Sequence, residues 1–148
     1  MDKLEIYTDG GCRPNPGKGA CAFVLVSSGE FIHGESFGFT ESTINIMELT
    51  AVEYALKFIL FKKYKHELIV YSDSQYLVNG MTTYAKKWKE KNWRNSSGKP
   101  VANAPIWDEL IGLNDSYRKS INYIWIPAHK GNKWNEYADE LCTNRILT

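Results

Sequence analysis

The chain has 148 residues, of which 43% are hydrophobic and 24% charged, and its formal net charge is +1. This size and composition are typical of one globular domain and exclude a disordered tail, a collagen-like fibre and a small disulfide scaffold. No apolar stretch approaches the roughly 20 residues of a membrane span, no signal-peptide pattern precedes Leu4, and three cysteines without CxxC spacing favour a reducing cytoplasm over zinc or disulfides.

The first third of the chain is predicted to form three strands. Leu4–Thr8 alternates apolar and polar residues, and Ala20–Val26 is almost continuously apolar. Glu30–Phe39 follows after a short connection that contains glycine, which favours an antiparallel hairpin. Residues 10–17 are rich in glycine and proline and therefore predict a loop between the first two strands.

The rest of the chain is predicted to alternate helices with two further strands. Ser42 or Thr43 can cap a helix whose apolar residues recur at helical spacing from Met47 to Phe58. The later elements are a strand at Leu68–Tyr71, a helix from about Gln75, a helix capped by Asn103, a strand at Ile121–Ile126 and a helix at Trp134–Leu147. This order predicts an α/β fold with a five-stranded mixed sheet and helices on both faces.

The charge is unevenly distributed along the chain. Residues 81–103 hold six basic residues against one acid, a net charge of +5, so the other 125 residues have a net charge of −4. Trp88 and Trp93 lie among these lysines, and we expect both rings to be exposed. Basic charge neutralises phosphates and flat rings pack on sugars or bases, so the segment suits a nucleic-acid backbone. The alternative is a solvated, lysine-rich helix.

Four acids are candidate metal ligands. Each position taken alone is an ordinary one for an acid, but the four side chains would bind metal if the fold brought them together. Asp9 and Asp73 each follow a predicted strand, where ligand sites of open α/β sheets gather, although either could simply cap a turn. Glu48 and Asp139 lie on predicted helices and could each be a surface acid. If the four converge, hard divalent cations would offset their repulsion. Two Mg²⁺ ions are a known means of phosphodiester hydrolysis.

His129 lies in a polar loop with glycine, between the last predicted strand and the last helix. Such a loop can move, and an unperturbed imidazole titrates near pH 6.5, which suits a proton shuttle. His33 and His66 are interpreted as structural or surface residues.

Four short segments resemble the motifs of type 1 ribonuclease H in identity, order and spacing. They are YTDGGC at 7–12, NIMEL at 45–49, YSDSQY at 71–76 and the segment 129–139. The likeness runs from residue 4 to about 146, and Lys86 to Lys99 resembles the basic protrusion of bacterial and eukaryotic members. The resemblance implies a single ribonuclease H domain over residues 1–148, with a ribonuclease H-like fold and the protrusion at about 81–103.

The resemblance also implies an activity. The enzyme would be an endonuclease that hydrolyses the RNA strand of RNA–DNA hybrids and leaves 5′-phosphate and 3′-hydroxyl ends. By position, Asp9, Glu48, Asp73 and Asp139 would hold two Mg²⁺ ions, with Mn²⁺ as the alternative, and His129 would assist proton transfer or product release. The partner would be the hybrid itself, and the chain would act as a monomer with neither a protein partner nor a membrane.

A further set of residues matches substrate-binding positions of the family. Asn15, Asn45 and Gln75 match contacts to the minor groove, where 2′-hydroxyls distinguish RNA from DNA. Thr43 and Asn103 match a pocket for a DNA phosphate. The remaining positions, in the basic protrusion, are Tyr84, Lys86, Lys87 and Trp88.

Two positions depart from the family pattern. Ile44 stands where relatives commonly have asparagine, and Glu41 stands where an arginine often supports the phosphate pocket. Neither departure touches the four acids. We therefore expect activity, with weaker substrate binding that the lysine-rich segment compensates.

Two other functions are compatible with the residues. A non-catalytic module could bind hybrids through Lys86 to Trp93, although the intact set of acids argues against it. A nuclease of the same fold could act on DNA junctions, although Asn15, Asn45 and Gln75 argue for contact with RNA.

Overall fold

A computed structural model describes residues 3–148 of the protein, and its five strands form one mixed sheet in the order β3-β2-β1-β4-β5. The strands are β1 Leu4–Arg13, β2 Gly17–Ser27, β3 Glu30–Ser42, β4 Leu68–Ser72 and β5 Ile121–Trp125. β2 pairs antiparallel with β1 and with β3, whereas β4 pairs parallel with β1 and with β5. The predicted five-stranded mixed sheet with three antiparallel strands is confirmed.

Helices cover both faces of the sheet, as predicted. They are α1 Ile44–Phe61, α2 Gln75–Asn79, a π-helical turn Gly80–Tyr84, α3 Ala85–Glu90, α4 Ala104–Ser116 and α5 Lys133–Leu147. Successive strand side chains point to opposite faces. Ile6 of β1 therefore joins the main core with Leu49 of α1, while its neighbour Tyr7 packs with Ala138 of α5. Within residues 3–148, none of the helices is long and apolar enough to cross a membrane.

The loop predicted at residues 10–17 is wrong over most of its length. β1 continues to Arg13 and β2 begins at Gly17, which leaves only residues 14–16 as a turn. A Cβ at Gly10 would lie 2.4 Å from the backbone nitrogen of Glu48, and one at Gly11 would lie 3.2 Å from Ile146. These two glycines let α1 and α5 approach opposite faces of β1, so they serve packing and not a turn.

The predicted helix caps differ in outcome. Thr43 caps α1, because its hydroxyl accepts a hydrogen bond from the Ile46 N–H at 3.1 Å. Asn103 occupies the residue before α4 in a left-handed conformation, with φ of 60°, but its side chain does not cap the helix. Its amide instead donates to the Tyr76 hydroxyl at 3.1 Å, which also accepts from the Trp107 indole. The capping role predicted for Asn103 is therefore wrong, and the side chain links α4 to α2.

The two tryptophans of the basic segment are half-buried, against the prediction that they are exposed. Both pack against the main core, and the Trp88 ring meets the buried ring of Trp107 edge-on at 5.9 Å. The apolar area of an indole makes such burial favourable even within a run of lysines. The segment that holds the lysines is consequently anchored on α4.

Candidate active site at the sheet edge

Three of the predicted acids converge at one edge of the sheet. Asp9 lies in β1, Asp73 directly follows β4 and Glu48 lies near the start of α1; one carboxylate oxygen of each lies within 4.8 Å of the others. The parallel register pairs Tyr7 with Tyr71. Asp9 and Asp73 each stand two residues further on, so they lie side by side where β4 ends.

Glu48 is delivered to this edge by the close packing of α1 on Gly10. The carboxyl is 5% exposed, and its Oε1 has no hydrogen-bond partner in the described chain. The Gly10 N–H and the Ser74 hydroxyl act as donors toward the carboxylate and lower its pKa in part. A buried carboxylate oxygen without a donor is costly, and it is free to accept a cation.

Asp139 reaches the cluster from α5, on the other face of the sheet. It is half-buried and lies outside the group of three, but it is close enough to Asp9 to raise the pKa of that carboxyl. All four predicted acids are thus brought together by four different elements, namely β1, α1, the end of β4 and α5.

Burial and, to a smaller extent, the crowding of these carboxyls raise their affinity for protons. Burial, together with the charges of Glu48, Asp73 and Asp139, raises the pKa of Asp9 to about 10. Burial and the charge of Asp73 raise the pKa of Glu48 to about 8. Like charges in a buried cluster favour protonation or a bound cation, and carboxylate oxygens are the donors that hard divalent cations prefer.

Asp73 has a more favourable environment for its charge. Burial raises its pKa, but the nearby amide of Asn135 lowers it; Asp139 then raises it and the nearby His129 lowers it. His129 is exposed, in the loop before α5, with φ of 54°. His129 is therefore near enough to Asp73 for its charge to act on that carboxyl.

Sequence reasoning missed Asn135, which is only 2% exposed. Its amide lies beside the Asp73 carboxylate, yet Nδ2 is outside full hydrogen-bond geometry with any described acceptor. The available signal was spacing, because Asn135 and Asp139 stand four residues apart and so share one face of α5. Asn135 therefore lies near Asp73 on the same face of α5 as Asp139.

The raised pKa values predict that metal-free protein loses stability as the pH rises. Asp9 and Glu48 keep their protons to about pH 10 and pH 8 when folded, whereas unfolded carboxyls release theirs near pH 4. The stabilisation is complete below about pH 4 and is lost on approach to these folded pKa values. We expect the urea midpoint in chelator to fall between about pH 5 and pH 8, and a divalent cation to restore it at the higher pH. A midpoint that rises with pH in chelator contradicts this expectation.

The residues predicted to contact the minor groove lie next to this edge. Asn15 lies in the turn between β1 and β2, where its Oδ1 accepts from the Ile44 N–H at 3.1 Å. Asn45 and Gln75 are exposed in the first turns of α1 and α2. Asn15 is therefore held beside Asn45, and Gln75 stands two residues beyond Asp73.

The two residues of the predicted phosphate pocket are each engaged elsewhere. Thr43 caps α1 and Asn103 bonds to Tyr76, and no hydrogen bond joins the two in the described chain. Glu41, which stands where members of the family often have an arginine, is exposed. The structure thus shows the two side chains in structural roles, without a direct link between them.

The basic segment has two sides. Lys86 pairs with Asp115 at 3.8 Å and Lys89 with Asp108 at 3.2 Å, so these two lysines face α4. The other side is an open cavity of about 290 Å³. Its lining includes Tyr84, Lys87, Trp88, Lys91 and Arg94.

The cavity side combines stacked rings with unpaired cations. Tyr84 stacks on Trp88 with ring centroids 5.7 Å apart. Lys87, Lys91 and Arg94 have no acidic partner within residues 3–148. Lys87 is therefore better placed than Lys86 to meet a phosphate.

Solved structures place this fold in a known class. LC9-RNase H1, a type 1 RNase H with the type 2 active-site motif, superposes with a TM-score of 0.86 at 23% identity, over 99% of this chain and 73% of that one. LC11-RNase H1 in complex with RNA/DNA hybrid gives 0.78 at 26% identity, over 97% and 96%. The protein has the ribonuclease H-like fold, with acids gathered at its sheet edge.

Sequence comparison specifies the family. The family profile described as RNase H matches residues 1–146. Ribonuclease H of Granulibacter bethesdensis is 44% identical over 141 residues, 95% of this chain and 89% of that protein. Ribonuclease HI of Haemophilus influenzae is 42% identical over 140 residues, 94% and 86% of the two chains. The chain belongs to the ribonuclease H family and is an enzyme, a nuclease that hydrolyses phosphodiester bonds.

Proposed function

We propose that the protein hydrolyses the RNA strand of RNA–DNA hybrids in a metal-dependent reaction that leaves 5′-phosphate and 3′-hydroxyl ends. The observation that carries this proposal is the convergence of carboxylate oxygens of Asp9, Glu48 and Asp73 within 4.8 Å, with Asp139 close enough to Asp9 to raise its pKa. Membership of the ribonuclease H family supports the reaction. A structural neighbour bound to an RNA/DNA hybrid supports the substrate.

The acid cluster fits a hard divalent cation. Its donors are all carboxylate oxygens, one of them buried without a partner, and no lysine or arginine in residues 3–148 forms an ion pair with these acids. We assign Asp9, Glu48, Asp73 and Asp139 as the ligands of two Mg²⁺ ions, or of Mn²⁺ in their place. When bound, such ions activate the attacking water and stabilise the leaving 3′-oxygen.

Two further residues prepare the cluster for the reaction. Asn135 is buried with its amide near the Asp73 carboxylate, where it would donate to that carboxylate and hold it in place. His129 is exposed and near Asp73, where its imidazole would accept a proton from the reacting groups or return one to them. The loop that carries His129 can move as product leaves.

Recognition of the hybrid is divided between its two strands. The amides of Asn15, Asn45 and Gln75 meet the minor groove, where 2′-hydroxyls both donate and accept hydrogen bonds. Ile44 supplies no such contact. On the DNA strand, we assign Thr43 and Asn103 to a phosphate contact in addition to their structural hydrogen bonds to Ile46 and Tyr76. The cavity side of the basic segment holds the backbone through Tyr84, Trp88 and its cations. These contacts are to sugar and phosphate groups and not to bases, so the preference for particular base sequences in the hybrid is slight.

The decisive experiment compares substrates under metal control. An RNA–DNA hybrid, double-stranded RNA, double-stranded DNA and a DNA junction are each incubated with Mg²⁺, Mn²⁺ or chelator, and labelled products are sized and end-mapped. We expect cleavage of the hybrid RNA alone, and only with metal. Hybrid binding without cleavage in either metal points to the binding module, and a cut junction points to the DNA nuclease.

The two sides of the basic segment predict different salt dependences. Replacing Lys87, Lys91 and Arg94 with alanine should weaken hybrid binding at every sequence and reduce the log–log salt slope by about 0.9 for each lost phosphate contact. Replacing Lys86 and Lys89 removes two cations from the side that is paired with α4, so this control should change the slope less for each charge removed. Salt titrations of hybrid affinity measure both slopes, and equal effects per charge removed contradict the assignment.

Oligomeric state and location stay predictions from the sequence. We propose a monomer, which light scattering behind a sizing column measures directly. Cys12, Cys21 and Cys142 are all buried and free, which agrees with a reducing cytoplasm.

A further inference from the structure

A second basic region lies at the end of the sheet away from the carboxylates. Lys63 and Lys65 precede β4, and Arg118 and Lys119 precede β5. The two connections are joined by a hydrogen bond from the Leu68 N–H to the Ser120 carbonyl at 2.9 Å. Both strands then run in parallel away from this region, and Asp73 follows the far end of β4. The length of the strands therefore separates these cations from the acid cluster.

These cations surround a cavity of about 370 Å³, here called the basic pocket. Leu60, Tyr64 and Tyr117 form its apolar floor, and Lys63, Lys65, Arg118 and Lys119 form its rim. Tyr117 is 8% exposed, and its hydroxyl donates to the His66 carbonyl, which fixes the floor. The pocket thus combines an apolar cavity with four positive charges.

The rim cations have no acidic partner in the part of the chain that the structure describes. No acid lies within ion-pair distance of any of the four in residues 3–148, whereas Lys57, Lys86 and Lys89 each have an acidic partner. Four unpaired like charges around an apolar depression create a positive potential that attracts an anionic group.

Lys63 occupies a backbone position that normally takes glycine. It has φ of 59° directly after the end of α1, where its N–H bonds to the Leu60 carbonyl and the Tyr64 N–H bonds to the Ile59 carbonyl. This helix ending favours glycine, and other residues bear a steric cost there. The backbone conformation at this position does not explain why a lysine stands there. The lysine does, however, place its ammonium group on the rim of the basic pocket.

We propose that the basic pocket docks an acidic peptide segment of a partner protein, with one large apolar side chain in the cavity and its flanking carboxylates on the rim cations. The apolar floor favours a peptide over a nucleic acid, because a phosphate backbone has no group to fill it. Tyr117 is too buried to offer the open ring face on which a nucleobase stacks. Since the pocket lies away from the acid cluster, a docked partner leaves the active site open; this inference does not rest on the proposed reaction.

The test uses a designed probe, a fluorescein-labelled peptide of sequence DEDFDELDE, and fluorescence anisotropy with the full chain. We expect saturable binding that salt weakens, and that is lost when the acids become amides or when the phenylalanine and leucine become serine. The combined Lys63→Gly and Lys119→Ala variant should bind about tenfold more weakly, as expected for two exposed ion pairs. Glycine is favoured at position 63, so this variant retains its fold.

Lys62→Ala is the matched control, because Lys62 is adjacent but lies over the Phe58 ring, outside the pocket. Its peptide affinity should equal that of the unmodified protein. Absence of peptide binding, or equal affinities of the pocket and control variants, would overturn the proposal. Displacement of the peptide by a single-stranded oligonucleotide or by tripolyphosphate at lower concentration would also overturn it, in favour of a phosphate ligand. Hybrid cleavage by the pocket variant should be unchanged, which separates this test from that of the proposed function.

Discussion

Replacing Asp9 with asparagine is expected to lower hybrid cleavage by at least about 100-fold, since even residues that merely support metal ligands cost about 10–100-fold when changed. Asp9 is central to the cluster, with contacts to the other acids and only 7% exposure. Hybrid binding should persist, because the basic segment and the minor-groove residues are untouched. Single-turnover cleavage in Mg²⁺ and hybrid affinity in chelator measure the two effects separately.

The same substitution should stabilise the metal-free protein. Burial and neighbouring charges raise the pKa of Asp9 to about 10, so above about pH 4 the folded protein must hold a proton that the unfolded carboxyl releases, and this opposes folding. A neutral amide needs no such proton, and we expect a gain of about 1–2 kcal/mol in the free energy of unfolding near pH 8. The gain should shrink toward pH 4, where the unfolded carboxyl is protonated as well. Urea unfolding in chelator at both pH values measures it.

An exposed aspartate provides the control for this experiment. Asp108 lies on α4, where it pairs with Lys89 at 3.2 Å, and it is remote from the acid cluster. Asp108→Asn should leave cleavage unchanged and alter stability by less than about 1 kcal/mol. Near-normal turnover of Asp9→Asn in Mg²⁺ would contradict the ligand assignment, and a loss of stability in chelator would contradict the electrostatic account.

The sheet was predictable because its signals are local. The nearly continuous apolar run of β2 and the short apolar β4 each reflect burial that the residues themselves encode. Thr43 is a favourable cap, and it was found at the start of α1. The positions of Asp9 and Asp73 follow from the parallel register of β1 and β4, so a correct sheet order brings the two acids together without further information.

The errors arose where distant contacts decide the local conformation. Gly10 and Gly11 look like turn residues, but helices packed on both faces of β1 require them. Asn103 looks like a cap, but Tyr76 takes its amide. Asn135 was not predicted as a site residue, because its role depends on Asp73. The two residues are distant in sequence and come close only in the folded chain. In each case the deciding partner belongs to another element.

Replacing Gly10 with alanine should damage the fold and the site together. The added Cβ would lie 2.4 Å from both the Glu48 nitrogen and the Met47 carbonyl carbon. These are backbone atoms and cannot turn aside, so α1 must shift from β1. Such overpacking costs about 1–3 kcal/mol of stability. Because Glu48 moves with the helix, cleavage should fall by at least about tenfold, since a displacement near 1 Å is enough for a large loss.

Gly112→Ala is the matched control for this change. Gly112 lies in α4 with nothing within 4 Å of an added Cβ, so alanine should stabilise the helix by about 0.5–1 kcal/mol and leave cleavage unchanged. Urea unfolding and hybrid cleavage are measured on both variants, with cleavage assayed well below the unfolding transition. If Gly10→Ala loses stability but cleaves normally, α1 can shift away from β1 without displacing the Glu48 carboxylate. If it loses neither, the close contact of α1 with β1 does not position the site.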